Sequence, residues 1–482
     1  YPTYFEALPD DPTDSLFIEG TDPISQFGFA TAMSGDGAIL AVGATDGLNE
    51  MGEATGAVHL FSLNNAFSND VQRSGSATIQ PLNVLYGEVP GGEFGNAVSL
   101  SHDGKYLVVG SRSENDQGAM RVYGIFGDDV IPGGEIAGQD PSGRAGWSVA
   151  MSGDGNVVAM SATKGGSNEA GTVTTYQAPD WIPYGSAVEG ALGDSAGSSV
   201  ALSYDGSVMA VGIVSDLTTT GIARTKGKVA VYEMIDGPEW ALREEIYGEE
   251  NGINDGASVG LSKDGSILVV GGEGYSHGVR EQAGRCKIYE WRESQYELLH
   301  TIVGQTKDGR LGTSAAVSED GNVIACGGIA ERWNEMFLLK SGVVRLWNRS
   351  TSQEIALWPN GDLGSSVDGG SFGSAVSLSS DGKIALVGAS TWIGADEQSP
   401  GAVHIFDTFR ESFTADGASI AIISPPPTVS PTASSQPSSS AKPTSEPSAQ
   451  PSRAPCKDKN PKCKRWARLG ECKKNKAYMF GE

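Results

Sequence analysis

The chain has 482 residues and a formal net charge of −25 at pH 7, and its 66 glycines are about twice the usual share of roughly 7%. This acidity excludes a general nucleic-acid binder, which needs a basic face, and no stretch approaches the run of about 18 apolar residues that a transmembrane helix requires. The chain begins at Tyr1 without a signal-like apolar segment, so we expect a mature form or a fragment.

One sequence signature occurs seven times. It alternates apolar and small residues, continues with Ser-x-Asp-Gly, and ends in an apolar run. The copies span 27–44, 94–111, 145–162, 196–213, 255–272, 311–328 and 372–389. Asp-Gly supplies the positive φ of a tight hairpin, so we assign a structural turn role to seven aspartates: Asp36, Asp103, Asp154, Asp205, Asp264, Asp320 and Asp381. These aspartates are 51 to 67 residues apart, a spacing that indicates a β-propeller.

Each repeat is predicted to form four strands. The signature provides two strands on either side of Asp-Gly, and a third follows a glycine, as in the segment 56–61. A fourth strand ends near a pair such as Tyr86-Gly87. One face of the first strand carries only Ala, Ser or Gly, which we attribute to crowding where the innermost strands converge on an axis.

The N-terminus is predicted to close the ring. Phe17-Ile18-Glu19-Gly20 has the sequence of a fourth-strand ending but precedes the first signature, whereas no such ending follows the last third strand, 401–406. We therefore expect the N-terminal strand to complete the seventh blade, which protects the sheet edges. The predicted fold class is all-β, a seven-bladed propeller of four-stranded antiparallel blades over residues 1–423.

The repeats resemble the FG-GAP repeats of integrin α-chain propellers. The resemblance covers residues 15–410 and is carried by the Phe27-Gly28 opening, the Val-Gly-Ala centre and the Gly-Ala-Val-x-Phe/Tyr third strand. Many FG-GAP repeats bind calcium through Asp-x-Asp-x-Asp-Gly, but the matching loops 44–56, 111–118 and 390–401 lack this triplet. We expect no cofactor, with calcium as the less favoured alternative. The repeats lack the Gly-His and Trp-Asp marks of WD40 propellers.

Residues 424–455 are rich in Pro, Ser and Thr and are predicted to extend as a polyproline II stalk. The pattern resembles the mucin-type or hydroxyproline-rich stalks of extracellular glycoproteins, and a bare flexible linker is the alternative. The candidates for O-glycosylation or proline hydroxylation are Pro425, Pro426, Pro427, Thr428, Ser430, Pro431, Thr432, Pro437, Pro443, Thr444, Pro447, Pro451 and Pro455.

Residues 456–482 resemble the ShK-toxin-like module. Cys456, Cys463 and Cys472 stand at the family spacing with Trp466 and Gly470. That family has six cysteines in three disulfides, so the resemblance implies a partial, disulfide-bonded extracellular module and does not imply toxin action. A lysine-rich tail with chance cysteines is the alternative. Cysteines in this segment favour an oxidising compartment.

The two remaining cysteines, Cys286 and Cys326, occupy positions that are Val58 and Val42 in the first repeat. Two interpretations stay open, because they are either buried small hydrophobic residues or partners in a disulfide between blades. Asn348-Arg349-Ser350 is an N-glycosylation sequon directly after a predicted strand.

No catalytic or metal-binding residue is assigned. Ser258 lies in a Gly-x-Ser-x-Gly pattern, but that pattern falls inside a first strand rather than in the strand–turn–helix that a nucleophile requires. None of the five histidines has metal-ligand spacing.

The sequence therefore favours a secreted, cell-surface or cell-wall glycoprotein that is not an enzyme and acts in adhesion or as a fibre-forming structural component. Its expected partners are extracellular proteins, glycans or further copies of itself. The alternative is a monomeric ligand-recognition propeller, with a binding face built by the loops 213–227, 273–284 and 329–341. A propeller hydrolase or lyase is the least favoured, because it needs carboxylates and histidine around the central channel, where small first-strand residues leave little room for them.

Overall fold

The computed structural model describes residues 15–22, 24–64, 78–214, 226–235, 239–250, 252–330, 342–357, 370–391 and 400–408. They form seven antiparallel sheets, each of which is one blade of a propeller. Blade 1 contains β2 (Phe27–Met33), β3 (Ile39–Ala44), β4 (Ala57–Asn64) and β5 (Thr78–Tyr86). Blade 2 contains β6 (Phe94–Leu100), β7 (Tyr106–Ser111), β8 (Ala119–Phe126) and β9 (Asp129–Ala137). Blade 3 contains β10 (Ala145–Met151), β11 (Val157–Ala162), β12 (Thr172–Gln177), β13 (Ile182–Pro183) and β14 (Val188–Glu189).

The remaining blades repeat the same order. Blade 4 contains β15 (Ala196–Leu202), β16 (Val208–Ile213), β17 (Lys228–Ile235) and β18 (Glu239–Tyr247). Blade 5 contains β19 (Asp255–Leu261), β20 (Ile267–Gly272), β21 (Arg285–Arg292) and β22 (Gln295–Val303). Blade 6 contains β23 (Leu311–Val317), β24 (Val323–Gly328), β25 (Val343–Asn348) and β26 (Gln353–Leu357). Blade 7 contains β27 (Phe372–Leu378), β28 (Ile384–Ala389), β29 (Ala402–Asp407) and β1 (Ser15–Glu19). Two single 3-10 turns, Glu114–Asp116 and Ser167–Glu169, lie in the loops after β7 and β11.

The predicted fold class is confirmed, and so is ring closure by the N-terminus. β1 pairs antiparallel with β29, with Ile18 opposite Val403. The amide of Gly20 donates to the carbonyl of Gly401 at 2.9 Å, and Phe27 donates to Pro400 at 2.9 Å. The first and last parts of the repeat region therefore share one blade, as the orphan fourth-strand ending predicts.

Each Ser-x-Asp-Gly segment forms the turn between the first two strands of a blade. In blade 1, Ser34 Oγ donates to Asp36 Oδ1 at 2.7 Å, and that oxygen also accepts the Ala38 amide at 2.9 Å. Gly37 has a φ of 73°, which glycine adopts without steric cost. Serine, aspartate and glycine thus each have a separate role, which explains why the motif occurs in every blade.

The glycine before a third strand forms a backbone contact with the first strand of the next blade. Gly56 pairs in a parallel bridge with Phe94 of the next blade, and Gly401 pairs with Phe27 across the ring closure. A Cβ atom at Gly56 would lie 2.2 Å from the Phe94 carbonyl oxygen, so only glycine permits this approach. Large apolar side chains fill the space between the blades, with Phe27, Phe94 and Phe372 at most 2% exposed.

Blade 3 departs from the predicted pattern at its outer edge. Its fourth strand is split into β13 and β14, which pair with opposite ends of β12. Between them Gly185 has a φ of 82°, a left-handed conformation that turns the chain out of the ladder.

The open question about Cys286 and Cys326 is answered by a disulfide. The bond links β21 of blade 5 to β24 of blade 6, with Cα atoms 6.5 Å apart. Both residues are also fully buried, so each packs in the core between the blades as well. The predicted stalk and the Cys-rich segment with Cys456, Cys463 and Cys472 lie outside the described residues.

Candidate functional site

The two ends of the propeller are built from different segments. The hairpin face carries the Ser-x-Asp-Gly turns, and the third strands end beside them: Leu63 donates to the Ala38 carbonyl at 2.7 Å, and Thr408 to Lys383 at 2.8 Å. The loop face carries the loops between second and third strands and the crossings between blades. The loops 213–227, 273–284 and 329–341 all begin at the end of a second strand and so belong to the loop face, although residues 215–225 and 331–341 lie outside the described residues.

The seven turn aspartates lie on the hairpin face, where their own turns bind them. In every blade the Ser hydroxyl donates to the aspartate Oδ1 at 2.6–2.9 Å. Partial burial acts to raise the pKa of Asp205, but hydrogen bonds from Ser207 and Ser203 outweigh it and hold that pKa below its ordinary value. A carboxylate engaged in this way serves the turn and has little capacity left for a ligand.

Backbone hydrogen bonds at the hairpin face form a closed ring around the axis. The donor amides and acceptor carbonyls are, in order, Gly35 to His102, His102 to Gly153, Asp154 to Tyr204, Tyr204 to Lys263, Lys263 to Glu319, Glu319 to Ser380 and Ser380 to Gly35, at 2.8–3.0 Å. Except for Asp154, each of these residues stands between Ser and Asp of its turn. Every blade is therefore tied to the next by a bond that does not depend on side-chain identity.

Four side chains from this ring form an axial cluster, defined as His102, Tyr204, Lys263 and Glu319. His102 Nδ1 is hydrogen-bonded to Glu319 Oε1, and Lys263 Nζ lies 3.7 Å from Glu319 Oε2. Lys263 Nζ also lies 3.9 Å from the Tyr204 ring centroid. Space for the imidazole comes from Gly35, where a Cβ atom would lie 2.1 Å from His102 Nδ1.

The axial cluster corrects one expectation. Small first-strand residues were expected to keep histidine and carboxylate away from the axis, yet the turns supply both from blades 2 and 6. Sequence reasoning missed these four residues because each looks like a variable turn position within its own repeat. Aligning the seven copies gives the only signal, since this position reads Gly, His, Gly, Tyr, Lys, Glu and Ser.

At the loop face, a shared backbone irregularity inserts two extra residues into each first strand. In blade 1, Phe27 is opposite Ala44 and Ala30 is opposite Gly43, so Gly28 and Phe29 form a bulge. All seven first strands show this shift. The residue before each signature has a left-handed φ of 46–61°; these residues are Gln26, Glu93, Arg144, Ser195, Asn254, Arg310 and Ser371. Bulges of this kind commonly redirect a side chain toward a functional surface.

Two bulge residues, Phe29 of blade 1 and Trp147 of blade 3, take part in an arginine–aromatic stack, defined as Phe29, Arg112, Trp147 and Arg144. The Arg112 guanidinium lies 5.6 Å from the Phe29 ring centroid and 4.7 Å from that of Trp147. Arg144 lies 5.6 Å from the same Trp147 ring. The Glu93 carboxylate pairs with Arg112, and the two side chains remain 30% and 23% exposed. The stack thus offers an aromatic and cationic surface that water or a ligand can reach.

The other sequence candidates are placed as follows. Asn348 ends β25 on the hairpin face, and its neighbour Ser350 is exposed. Ser258 is buried and donates to the Gly312 carbonyl at 2.8 Å, which is a structural bond between blades. The glycosylation candidates Pro425, Pro426, Pro427, Thr428, Ser430, Pro431, Thr432, Pro437, Pro443, Thr444, Pro447, Pro451 and Pro455 lie outside the described residues.

Within the described part of the chain, no group of three or more His, Cys, Asp and Glu side chains is arranged to hold a metal ion. In the same residues, no helix has both the length and the apolarity to cross a membrane. In comparisons with known proteins, no family model and no curated protein matches the chain. The likeness to FG-GAP repeats therefore remains a resemblance, and what the structure shows is a seven-bladed propeller of four-stranded antiparallel blades.

Proposed function

We propose that the chain is an extracellular adhesion protein without enzymatic activity, and that its propeller recognises a ligand on the loop face. The arginine–aromatic stack carries this proposal. Phe29 and Trp147 occupy the same position of the repeat. In blades 4 to 7 that position is Ser198, Ala257, Thr313 and Ser374, so the repeat itself does not need an aromatic residue there. Aromatic and arginine side chains are also the types that dominate recognition surfaces.

The disulfide between Cys286 and Cys326 supports the extracellular part of the proposal, because such bonds persist mainly in oxidising compartments. The sequon at Asn348 leads to the surface of the hairpin face, away from the proposed binding face. Glycosylation at Asn348 leaves the loop face accessible. We propose that residues 424–455 form a glycosylated stalk that supplies reach or a protective coat.

A second candidate function is a fibre-forming structural component. Exposed aliphatic side chains stand on the outer strands of four successive blades: Ile131, Ile182, Leu242 and Leu298, each 53–59% exposed. Contacts between such outer strands are a known route to assembly of copies.

Retention on an immobilised glycan and matrix-protein array tests the adhesion proposal. We expect beads coated with the full chain to be retained, and Trp147→Ser to lower retention at least about tenfold through loss of a central aromatic contact. Trp291→Ser is the matched control. Trp291 also stacks with an arginine, since the Arg243 guanidinium lies 3.6 Å from its ring centroid, but it is near the end of β21 on the hairpin face. Equal retention of the two variants contradicts the proposal, as does catalytic turnover of an array sugar or peptide.

Electron microscopy of native material, with intact mass from the same sample, separates the two candidates. Single particles carrying excess mass support a stalked adhesion protein. Ordered filaments support the structural component, and in that case Leu242→Lys is expected to dissolve them.

A further inference from the structure

A hydrogen bond between two side chains recurs at equivalent positions of the loop face. In four blades the residue before the signature bonds to a residue one or two places after the second strand. These pairs are Gln26 with Asp46, Glu93 with Arg112, Asn254 with Glu273 and Ser371 with Thr391. Each pair connects the crossing from the previous blade to the loop that follows the second strand.

Blade 6 lacks this pair. Its residue before the signature is Arg310, but the residues that follow β24 are Ile329 and Ala330, whose side chains cannot bond to a guanidinium. Arg310 is exposed and forms no ion pair or side-chain hydrogen bond with any other described residue. Its backbone is nevertheless fixed, because its amide donates to the Gln282 carbonyl at 3.0 Å and Thr313 Oγ1 donates to its carbonyl at 2.8 Å.

A cavity of about 300 Å³ lies where this pair is missing, at the junction of blades 5, 6 and 7. It is lined by Gln282, Asp308, Arg310, Ile329, Ala330, Ser371 and Thr391. The side chains of Gln282 and Asp308, like that of Arg310, make no hydrogen bond within the described part of the chain. The cavity therefore gathers one cation, one carboxylate and one amide that make no side-chain hydrogen bond to another described residue, and the apolar residues Ile329 and Ala330 also line it.

The disulfide holds two walls of this cavity together. Cys326 precedes Ile329 by three residues on blade 6, and Cys286 follows Gln282 by four residues on blade 5. A covalent tie so close to the lining residues fixes their spacing before a ligand arrives, and such preorganisation lowers the entropic cost of binding.

We propose that the cavity binds one acidic sugar unit, with its carboxylate on Arg310 and its hydroxyls on Asp308 and Gln282. A guanidinium can bind a carboxylate through two parallel hydrogen bonds, and such a ligand would take the place of the internal partner found in four other blades. The carboxylate and amide match sugar hydroxyls, and the apolar side chains of Ile329 and Ala330 match the C–H face of a ring. This inference rests on the proposed recognition by the loop face and names the ligand class of a second site there.

The test is a titration of the full chain with glucuronic acid, followed by ligand-observed NMR. We expect saturable binding, with glucose at least about tenfold weaker because it lacks the carboxylate. Arg310→Gln is expected to lower affinity for glucuronic acid by about tenfold or more. Arg292→Gln is the matched control, since Arg292 is also an exposed arginine but lies at the end of β21 on the hairpin face, and it is expected to bind as the unaltered chain does.

A second variant tests the same site with Arg310 intact. Ile329→Glu places a carboxylate where Glu273 stands in blade 5, so it supplies the missing internal partner and competes with the ligand. We expect loss of glucuronic acid binding comparable to that of Arg310→Gln. Ile329→Gln, which has nearly the same size and no charge, is expected to retain binding.

Two results overturn the inference. One is glucuronic acid binding that Arg310→Gln leaves unchanged. The other is N-acetylglycine bound as tightly as glucuronic acid, which indicates a site for peptide carboxyl ends instead of sugars. Either result, with retention on the array still dependent on Trp147, overturns this inference alone. Retention independent of Trp147, with glucuronic acid binding that depends on Arg310, contradicts only the assignment of adhesion to the stack.

Discussion

Two of the seven junctions between blades hold the ring together by different means. At the junction of blades 5 and 6, Cys286 is bonded to Cys326. At the junction of blades 7 and 1, the corresponding positions are Val403 and Val42, which are fully buried in one hydrophobic cluster. The first junction is covalent, although the chain already runs through it. The second is the place where β1 must return to the last blade, and it is held by packing and hydrogen bonds alone.

The third strands of these blades also differ in charge. One third-strand position is His404 in blade 7 and His59 in blade 1, but Lys287 in blade 5. Lys287 Nζ lies 2.7 Å from Glu249 Oε1 and 3.7 Å from Asp255 Oδ2, so its charge is matched. His404 is fully buried, and its ring centroid lies 5.2 Å from that of Phe372. Burial lowers the pKa of His404 to about 3 and that of His59 to about 4, so both imidazoles are buried in the neutral form. His404 faces blade 6, whereas His59 lies at the closure, with its ring centroid 5.2 Å from that of Phe27.

From these differences we expect the junction of blades 7 and 1 to open first when the propeller unfolds. At the closure, a single strand from the N-terminus, β1, forms the whole outer edge of blade 7. If β1 detaches, no other strand in the described part of the chain holds the two ends of the ring together. The disulfide at the other junction cannot compensate, since it constrains only the chain between its two cysteines.

The largest expected effect is that of deleting residues 15–20. Blade 7 then loses β1 and the buried side chain of Ile18, so we expect the ring to open and the cooperative unfolding transition to disappear. Small-angle scattering and thermal melting measure this. Ile18→Ala is a milder version, expected to cost about 2–5 kcal/mol, because Ile18 is 1% exposed. Ile24→Ala, at a residue 65% exposed, is the control and is expected to change little.

Exchanging the cysteine and valine pairs between the two junctions tests the comparison directly. Cys286→Val with Cys326→Val gives blades 5 and 6 the residues of the closure, and we expect a loss of about 4 kcal/mol from a cross-link that spans a sequence separation of 40. Val42→Cys with Val403→Cys places a cross-link at the closure, with an expected gain of up to about 5 kcal/mol. Guanidinium unfolding with and without reductant measures both. A cross-linked closure that still unfolds like the unaltered chain contradicts our ranking of the junctions.

Acid is expected to weaken the closure next. Because the pKa of His59 is about 4 when folded and 6.5 when unfolded, the unfolded chain binds more protons between these values. The contribution of the neutral imidazole is complete above pH 6.5 and is lost as the pH falls, by about 3 kcal/mol near pH 4. His59→Gln should remove this part of the pH dependence in unfolding titrations. The exposed His277, replaced by Gln, should leave it unchanged.

The smallest expected effect concerns the ring of backbone hydrogen bonds that both junctions share. Gly35→Ala places a methyl group against the His102 ring and is expected to cost about 1–3 kcal/mol. Adding His102→Ala removes the clash, so we expect the double variant to recover most of this loss in thermal melts. The backbone bonds themselves survive in both variants. If the double variant is as unstable as Gly35→Ala, the strain lies in the turn backbone rather than in the imidazole.

Much of the fold could be predicted because its determinants are local and repeated. Ser34, Asp36 and Gly37 form a turn from contacts within five residues, and seven copies of such a turn leave few architectures open. The strand around Ile18 was recognisable because it has the sequence of a fourth strand but no first, second or third strand precedes it in this sequence. The split fourth strand of blade 3 was not, because Gly185 also fits an ordinary strand ending.

The sequence by itself determined the blades, their number and the strand that closes the ring, since each is marked by a short pattern of residues close together in the chain. Only the tertiary structure decided which variable positions meet. His102 and Glu319 come from blades 2 and 6, and the cavity beside Arg310 draws on three blades. Such contacts depend on the closed ring, which brings residues hundreds of positions apart to one axis or one junction, and no pattern within a single repeat specifies its partner.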